Sequence, residues 1–433
     1  MHLTVEKLVY GGDGLARLPA DERGPGKAVF VPFVLEGEKI EAALLEQKRG
    51  FARGRADTIL QAAPQRIDPH CPYFQRCGGC HYQHTNYEHQ LEIKAGILRE
   101  NLRRIAKFEL QSEITIHPSA PWNYRNRTRL KLRTTPEFAL GFYRFGSHEL
   151  LPVEQCPVSS TLINRAIAAF WQMGRARSIP DGIHEIEFFA NAEDTQLLVE
   201  AYCDPATSST PIREWADAAR SALPEIAGVV AFKARSSKMA DGTEPKQIAQ
   251  SGARDLIYNI GDIAYRVGAG AFFQVNRYLV SHLARVVTVG ASGQTALDLY
   301  AGVGLFSTLL SRGFPQVIAV ESSQTAYASL VDNSPTHVKA VNAATADFLK
   351  AAGGTLRPDL VVVDPPRSGL GEPVVRSLAG LGAHRITYVS CDPATVSRDL
   401  VGLLAAGYSI EQVHLVDLFP QTYHIESVFH LVR

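Results

Sequence analysis

The stretch DLYAGVGLF, residues 298–306, decides the fold class of this chain. It joins a strand-like run, TALDLY, to a turn with Gly302 and Gly304, and such glycines let the backbone approach a ligand closely at the start of a helix. Further along, QVIAVES, LVVVDPP and RITYVSCDP are also rich in β-branched and aliphatic residues and end in acidic, Pro or Cys residues. Runs of this kind are typical of a parallel sheet covered on both faces. From residue 255 onwards we therefore predict an α/β domain.

A cofactor site is predicted beyond the carboxyl ends of these strands, where ligands of open α/β sheets bind. Glu321 ends the strand after the glycine turn, and an acid there can accept hydrogen bonds from ribose hydroxyls. Ser307 stands where a GxGxxG motif has its third glycine, so we expect no phosphate at the turn. A nucleoside-like cofactor such as S-adenosylmethionine (SAM) therefore fits better than NAD. Asp364 ends a third strand beside this site, and AFFQVN is expected to bring Gln274 to the polar end of the cofactor.

A cysteine is predicted on the same rim, because YVSCDPATVSRDL places Cys391 at the end of a fourth strand. Free thiols are often core residues, but Asp392 and Pro393 follow at once, and a turn at a strand end is not deep core. A thiolate beside a cofactor cleft is suited to covalent catalysis. Nearer the C-terminus, FPQTYHIESV offers His424 and Glu426 as candidate proton acceptors.

The front of the chain has a different pattern. Residues 1–58 contain short β-prone runs separated by glycine turns, which predict a small closed antiparallel barrel of the OB type. The last hairpin surrounds Phe51 with cations, namely Lys48, Arg49, Arg53 and Arg55. A cationic rim with an aromatic ring can hold RNA, and a solvated barrel edge protected by charge accounts for the same residues equally well.

A second basic segment, YRNRTRLKLR, has its cations at alternate positions: Arg125, Arg127, Arg129, Lys131 and Arg133. On a β-strand these side chains share one face at about 6.6 Å spacing, close to the phosphate repeat of a nucleic-acid strand. The first 133 residues carry 21 Lys and Arg against 15 Asp and Glu, although the net charge of the chain is zero. Both features favour an anionic partner for the front of the chain.

The cysteines and the overall composition limit the class of protein. Cys71, Cys77 and Cys80 lie within ten residues, which in a cytosolic chain favours a metal over disulfides, whereas Cys203 is expected in a core. No apolar stretch has the length of a signal peptide or a membrane span, so we expect a cytoplasmic protein without membrane contact. A chain of 433 residues is expected to form two or three domains.

Taken in order, FFQVN, DLYAGVGLF, VESS, DPPRSG, SCDPATVSRDL and FPQTYHIESV resemble the RNA uracil-C5 methyltransferase family over nearly the whole chain. The cysteine spacing of CPYFQRCGGC, residues 71–80, resembles the branch of this family that modifies 23S ribosomal RNA. That resemblance implies a class I, Rossmann-like SAM-dependent methyltransferase domain, an N-terminal TRAM barrel that binds RNA, and an α+β central domain. It also implies that Cys156, in EQCPV, joins the three clustered cysteines as a ligand of a [4Fe-4S] cluster. From the residues alone, four thiolates suit zinc and iron–sulfur about equally.

The resemblance also implies the roles of the site residues. Cys391 would add to C6 of the uracil, C5 would take the methyl group of SAM, and Glu426 would remove the C5 proton. The base would leave its stack to reach the pocket. The implied SAM contacts are Gln274, Tyr300, Gly302, Glu321, Asp347 and Asp364.

The implied domain division is discontinuous. Residues 1–60 would form the barrel, residues 61–83 and 116–254 the central iron–sulfur and RNA-binding domain, and residues 84–115 and 255–433 the methyltransferase domain. We expect a monomer that acts on structured RNA.

Three other functions compete with this one. The same reaction could act on the T-loop uridine of tRNA, or the chain could be a catalytically inactive iron–sulfur RNA-binding regulator. Retention of both Cys391 and Glu426 argues against an inactive protein. Amino-methylation of adenine is disfavoured, since Arg367 rather than an aromatic residue follows the two prolines of LVVVDPP.

Overall fold

The computed structural model describes residues 1–19, 26–233 and 244–433. Its first strands alternate buried and exposed residues, and they close into a barrel with the strand order β1-β2-β3-β5-β4. The closed barrel confirms the prediction, except that the β3–β5 pair is parallel where an antiparallel barrel was expected. The pairing is parallel because the β4–β5 hairpin folds back to close the barrel along β3. The described strands of the barrel are His2–Leu8 (β1), Asp13–Arg17 (β2), Ala28–Pro32 (β3), Lys39–Gln47 (β4) and Phe51–Gln61 (β5).

A long helix, Tyr87–Asn101 (α1), follows the cysteine segment. Asn86 caps its start by accepting a hydrogen bond from the His89 N–H, which satisfies one of the free donors of the first turn. The helix continues into a π-helical turn, Leu102–Ala106, and its apolar side packs in one core with the large C-terminal sheet. The short strand Thr115–His117 (β6) then joins the edge of that sheet, parallel to its strand Ser409–Val416 (β21).

The central part of the chain forms a sheet of seven described strands, ordered β13-β12-β11-β10-β7-β8-β9. Two amphipathic helices cover one side of it and share its core. The elements are Arg127–Arg133 (β7), Ala139–Tyr143 (β8), Leu150–Pro152 (β9), Thr161–Arg175 (α2), Ile183–Ala190 (β10), Leu197–Cys203 (β11), Ser209–Ala222 (α3), Ile226–Lys233 (β12) and Gln247–Gly252 (β13).

The C-terminal part is the predicted α/β domain. Within the described residues its elements are Asp255–Ile260 (β14), Ile263–Gly268 (β15), Val280–Thr288 (α4), Thr295–Leu299 (β16), Leu305–Leu310 (α5), Gln316–Glu321 (β17), Gln324–Asn333 (α6), Val338–Asn342 (β18), Thr345–Ala352 (α7), Leu360–Val363 (β19), Glu372–Leu381 (α8), Arg385–Ser390 (β20), Pro393–Ala405 (α9), Ser409–Val416 (β21) and Ser427–Val432 (β22). Strands β14 and β15 pair as a separate hairpin.

The large sheet has the order β18-β17-β16-β19-β20-β22-β21-β6 among the described strands. Strands β16 to β20 are parallel. Apart from the edge strand β18, they are almost continuously buried, which matches the apolar runs of the sequence. Strand β22 enters antiparallel between β20 and β21. The predicted α/β fold class is therefore confirmed. Among the described helices, none combines the length and the apolar character needed to span a bilayer.

A buried ion pair fastens α1 to the end of β21. The Lys94 Nζ lies 2.5 Å from the Asp417 Oδ1 and donates to the Phe419 carbonyl oxygen at 2.9 Å, and both charged side chains are fully buried. The Tyr87 hydroxyl donates to the other carboxylate oxygen of Asp417 at 2.8 Å.

Replacement of Lys94 by methionine is expected to lower the free energy of unfolding by about 3–5 kcal/mol, because it leaves the Asp417 carboxylate buried without its cation. Arg376→Met is the matched control, since Arg376 is exposed and pairs with Glu372 on the surface of α8. Its cost should stay below about 1 kcal/mol. Urea denaturation followed by circular dichroism measures both, and equal losses would contradict the assigned role of Lys94.

Candidate active site

The glycine turn after β16 lies against the acid that ends β17. The Gly302 N–H donates to the Glu321 Oε2 at 2.9 Å, and the Ser323 N–H donates to the Glu321 Oε1 at 2.7 Å. Gly304 has a φ of +92°, and a Cβ at this position would lie 2.9 Å from the Leu330 side chain, so only glycine fits there. Tyr300, immediately after β16, also adopts a positive φ of +62°. The turn therefore presents Tyr300, Gly302 and a held Glu321 carboxylate along one rim.

A second group of polar residues lies where β16 and β19 end. Asp298 is buried and accepts a hydrogen bond from the Ser307 hydroxyl, and burial raises the pKa of Asp298 to about 7. Burial and the nearby Asp298 raise the pKa of Asp364 to about 7 as well. The Gln274 Nε2 lies 3.4 Å from the Asp364 Oδ2, so the loop before α4 meets the strand ends.

The strand pairing brings the predicted nucleophile and base together. Ser390 and Ser427 are the last partners of the antiparallel β20–β22 pair. Cys391 and Glu426 lie directly beyond them, close enough for the charge of Glu426 to act on the thiol. Asp392 caps α9 by accepting from the backbone N–H groups of Ala394 and Thr395 at 3.0 and 2.8 Å, and this cap fixes the turn that carries the thiol. The site thus places a thiol and a carboxyl side by side at the carboxyl end of β20.

Both groups have raised pKa values. Burial, followed by the charges of Glu426 and Asp364, raises the pKa of the Cys391 thiol to about 12. Burial and Asp364 raise the pKa of Glu426 well above its usual range. The guanidinium of Arg367 acts in the opposite direction on both groups. Arg367 is therefore the cation that favours ionisation of both Cys391 and Glu426.

Arg367 is a residue whose role the sequence reasoning missed. From the sequence, Arg367 was used only as evidence against adenine as the substrate. Its position directly after the two prolines at the end of a strand could have indicated that it lies at the rim. In the structure its Nη2 also lies 3.5 Å from the Nε2 of His424. Burial, then Arg367, lowers the pKa of His424 to about 3, so this imidazole stays neutral. Between the two candidate bases, the structure thus pairs Glu426 with Cys391.

Asp347 differs from the other predicted cofactor ligands. It lies in the first turn of α7 and is exposed. Among the described residues, no hydrogen bond connects it to Gly302, Glu321 or Asp364. Its contact with a cofactor stays a prediction, as do the contacts of the remaining predicted ligands.

Four cysteines line one cavity of about 260 Å³: Cys71, Cys77, Cys80 and Cys156. Arg125 and Arg129 also line it. The Cys71 N–H donates to the Gln83 side chain at 3.0 Å, and Asn164 holds Cys156 through both its N–H and its carbonyl group. In the described parts of the chain, no set of three or more Cys, His, Asp or Glu side chains is arranged to hold a single metal ion. Cys203 is fully buried in the core of the central sheet, as expected.

Three of the five cations of the basic segment are paired with acids in the structure. The strand begins at Arg127, so Arg125 precedes it, and Arg133 ends it. Strand β10 places Glu187 opposite Arg129 and Glu185 opposite Lys131. Arg127 and Arg129 lie 3.2 and 2.8 Å from Glu187, and Lys131 forms an ion pair with Glu185. The cations are therefore largely neutralised within the sheet, and RNA contact by these residues stays a prediction.

The doubly covered parallel sheet, with its glycine turn and acidic strand end, defines a class I SAM-dependent methyltransferase. The family described as tRNA (uracil-5-)-methyltransferase matches residues 86–433, and the TRAM domain matches residues 1–56. This chain belongs to that uracil-5-methyltransferase family and is an RNA methyltransferase that carries a TRAM domain.

Several known proteins are similar over all or nearly all of their length. An uncharacterized RNA methyltransferase of Aquifex aeolicus is 32% identical, with 99% of this chain and 97% of the relative covered. The 23S rRNA (uracil(1939)-C(5))-methyltransferase RlmD of Alkalilimnicola ehrlichii is 31% identical, with 98% and 95% covered. The crystal structure of Pyrococcus abyssi tRNA (uracil-54, C5)-methyltransferase in complex with S-adenosyl-L-homocysteine superimposes with a TM-score of 0.75 at 25% identity, over 100% of both chains.

Replacement of Arg367 by glutamine is expected to shift the pH dependence of methyl transfer to higher pH by roughly one unit. Cys391 and Glu426 would act in their deprotonated forms, and both pKa values are already raised, so activity should rise with pH in the unmodified protein. Loss of the cation raises both values further and lowers the rate at neutral pH roughly tenfold. The profile of kcat/KM between about pH 6 and pH 10 measures this. Arg376→Gln is the control, and a profile of Arg367→Gln that coincides with it would contradict the role of Arg367.

Proposed function

We propose that this protein methylates C5 of a uridine in 23S ribosomal RNA, with Cys391 as nucleophile and Glu426 as base. The observation that carries the proposal is the adjacency of Cys391 and Glu426 at the paired ends of β20 and β22. The likeness to the A. ehrlichii enzyme supports the choice of 23S RNA.

The chain's own residues divide the reaction into two steps. The Cys391 sulfur attacks C6 of the uracil, which makes C5 an enolate-like carbon able to accept a methyl group from SAM. Glu426 then takes the proton of C5, the electron pair reforms the C5–C6 double bond, and the bond between C6 and sulfur breaks. Covalent addition is needed because C5 of a free uracil is a poor nucleophile, and the adduct replaces one difficult step with two easier ones. The raised pKa of Glu426 suits a proton acceptor, since a more basic carboxylate removes a carbon-bound proton more readily.

The SAM-binding residues would be those of the strand-end rim. The Glu321 carboxylate, held by two backbone N–H groups, would accept from the ribose hydroxyls, and Gly302 would allow close approach. Gln274, Tyr300, Asp347 and Asp364 complete the proposed set. SAM supplies the electrophilic methyl group, and the residues orient it toward the uracil.

We further propose that the cysteine cavity holds a [4Fe-4S] cluster bound by Cys71, Cys77, Cys80 and Cys156. Its four thiols with no histidine among the ligands suit iron–sulfur chemistry, and a cavity of about 260 Å³ has room for more than one ion. Arg125 at the wall would compensate part of the negative charge of four thiolates, whereas Arg129 is already paired with Glu187. A structural role follows, because the methyl transfer consumes no electrons.

A cleft of about 600 Å³ between the barrel and the end of α1 would offer the RNA a cationic surface separate from the basic strand. Five cations line it, and Phe30 contributes an aromatic wall. The acids of the cleft are already engaged, because Glu6 pairs with Arg17, and Glu100 pairs with Lys7 and Arg104. Among the described residues, Arg103 and Lys107 have no acidic partner. Free cations beside an aromatic ring suit a single-stranded segment of RNA next to the target.

The tRNA T-loop uridine is the second candidate substrate. The P. abyssi tRNA enzyme matches this chain over its full length, so extent of the fold does not separate the two substrates. A catalytically inactive RNA-binding regulator is disfavoured, since the site retains a thiol and a buried carboxyl whose pKa values both respond to the Arg367 cation.

Nucleoside mapping by mass spectrometry tests the proposal. Cells that lack the gene, and cells that carry Cys391→Ala, are expected to lose one or more 5-methyluridines from 23S RNA. Cys203→Ala is the control, because Cys203 is a core residue of another domain and its loss should leave the modification in place. Loss from tRNA alone would favour the tRNA T-loop uridine as the substrate. An unchanged 5-methyluridine content of all RNA would refute the proposed uridine methylation on either RNA.

Protein purified without oxygen is expected to contain about four irons and four sulfides per chain and to absorb broadly in the visible range. Cys80→Ser should lose this iron, because it removes one ligand of the cavity, whereas Cys203→Ser should keep it. Metal analysis and acid-labile sulfide determination measure both. Stoichiometric zinc without sulfide would contradict the cluster and favour the alternative metal.

A further inference from the structure

The turn between β1 and β2 of the barrel is held in one conformation. The Val9 N–H donates to the Asp13 carbonyl at 2.9 Å, and the Gly12 N–H donates to the Val9 carbonyl at 3.2 Å. Gly11 and Gly12 have φ values of +108° and +92°, which glycine adopts without strain. The Gly12 backbone packs on His81, since a Cβ at Gly12 would lie 3.0 Å from the His81 Cβ. The turn is therefore braced against the segment that carries the cysteines.

This turn carries Tyr10 into the catalytic domain. The Tyr10 hydroxyl donates to the Cys391 carbonyl oxygen at 3.3 Å, across 381 positions of sequence. The Tyr10 ring packs edge-on against Tyr423, with ring centres 5.5 Å apart. The ring centres of Tyr423 and its neighbour His424 are 4.3 Å apart. Tyr10 thus contacts both chain segments that supply the proposed catalytic residues, one ending at Cys391 and the other leading to Glu426.

The chemistry of the phenol suits a fixed donor. Burial raises the pKa of Tyr10 far above its usual value, and the charges of Asp392, Tyr423 and Cys391 add to that effect while Arg367 opposes it. The phenol therefore keeps its proton and its ability to donate over the whole range in which the thiol would ionise. Its acceptor is a backbone carbonyl, so the contact fixes the position of the chain and leaves the charge of the thiol unchanged.

We infer that Tyr10 is a positioning residue for the nucleophile, so that the barrel completes the active site as well as binding RNA. The inference rests on the proposed function of Cys391. The barrel turn holds the Cys391 peptide and the Tyr423–His424 pair from one side, and α9 holds the same loop from the other. The thiol is then aimed at C6 of the base only while the barrel is docked.

The test measures formation of the covalent adduct with RNA that contains 5-fluorouridine. Sulfur adds to C6 and C5 takes the methyl group as before. The fluorine cannot leave as a cation in place of the proton, so the adduct persists and can be followed by gel electrophoresis. The rate is measured at saturating RNA and SAM for the unmodified protein, Tyr10→Phe and Tyr10→Ala. Tyr143→Phe is the control, because it removes a hydroxyl from an exposed tyrosine of β8.

Tyr10→Phe is expected to slow adduct formation about 3- to 10-fold, the worth of one hydrogen bond, with the Kd for RNA changed less than about twofold. Tyr10→Ala should slow it further, since the packing on Tyr423 is also lost, and Tyr143→Phe should match the unmodified protein. An unchanged rate for Tyr10→Phe, or a loss confined to RNA affinity in both Tyr10 variants, would overturn the inference while leaving the proposed function intact. An unmodified protein that forms no adduct would refute the proposed function and this inference together.

Discussion

The buried pair of Lys94 and Asp417 is the interaction on which the arrangement of the site depends. A charge in a protein interior is tolerated only with a partner and further hydrogen bonds, and here the pair has both. It ties α1 to the segment between β21 and β22, which leads to His424 and Glu426. Gln90, one turn earlier on α1, exchanges hydrogen bonds with Gln421 of the same segment. A helix from the first quarter of the chain therefore fixes the loop that carries the proposed base.

Electrostatic balance dominates the chemistry of the rim. Burial disfavours ionisation of Cys391, Asp364 and Glu426, and each negative charge that forms makes the next one harder to form. Arg367 is the cation that opposes this effect for the thiol and for Glu426. The site is therefore poised so that few of its acids ionise at once. A sequence of proton transfers, in which the thiol and the base ionise at different stages, suits such a site better than simultaneous ionisation of both.

The large sheet and the strand-end residues were predictable from sequence, because doubly covered parallel strands need continuous apolar runs and their polar residues cluster at one rim. The closed barrel followed from alternating runs and glycine turns. The pairing of the cations on the basic strand could not be predicted from the sequence. Glu185 and Glu187 lie more than 50 residues further along the chain and meet Lys131 and Arg129 only through the register of the two paired strands. The contact of Tyr10 with Cys391 was equally hidden, as no local pattern in a β-turn indicates what it will dock against.

The position of β22 has a consequence for how the protein is made. This strand is synthesised after β20 and β21, yet it lies between them, antiparallel to both. Until it emerges from the ribosome, β20 presents an open edge, and Lys94 waits for Asp417 across 323 residues. At about 5–20 residues per second, synthesis of the chain from Lys94 to Asp417 takes roughly 16–65 s. The nascent chain must remain soluble through this time while Lys94 lacks its buried partner. The residues of the barrel and the central sheet are all made before those of β22, so both can fold before the catalytic sheet closes.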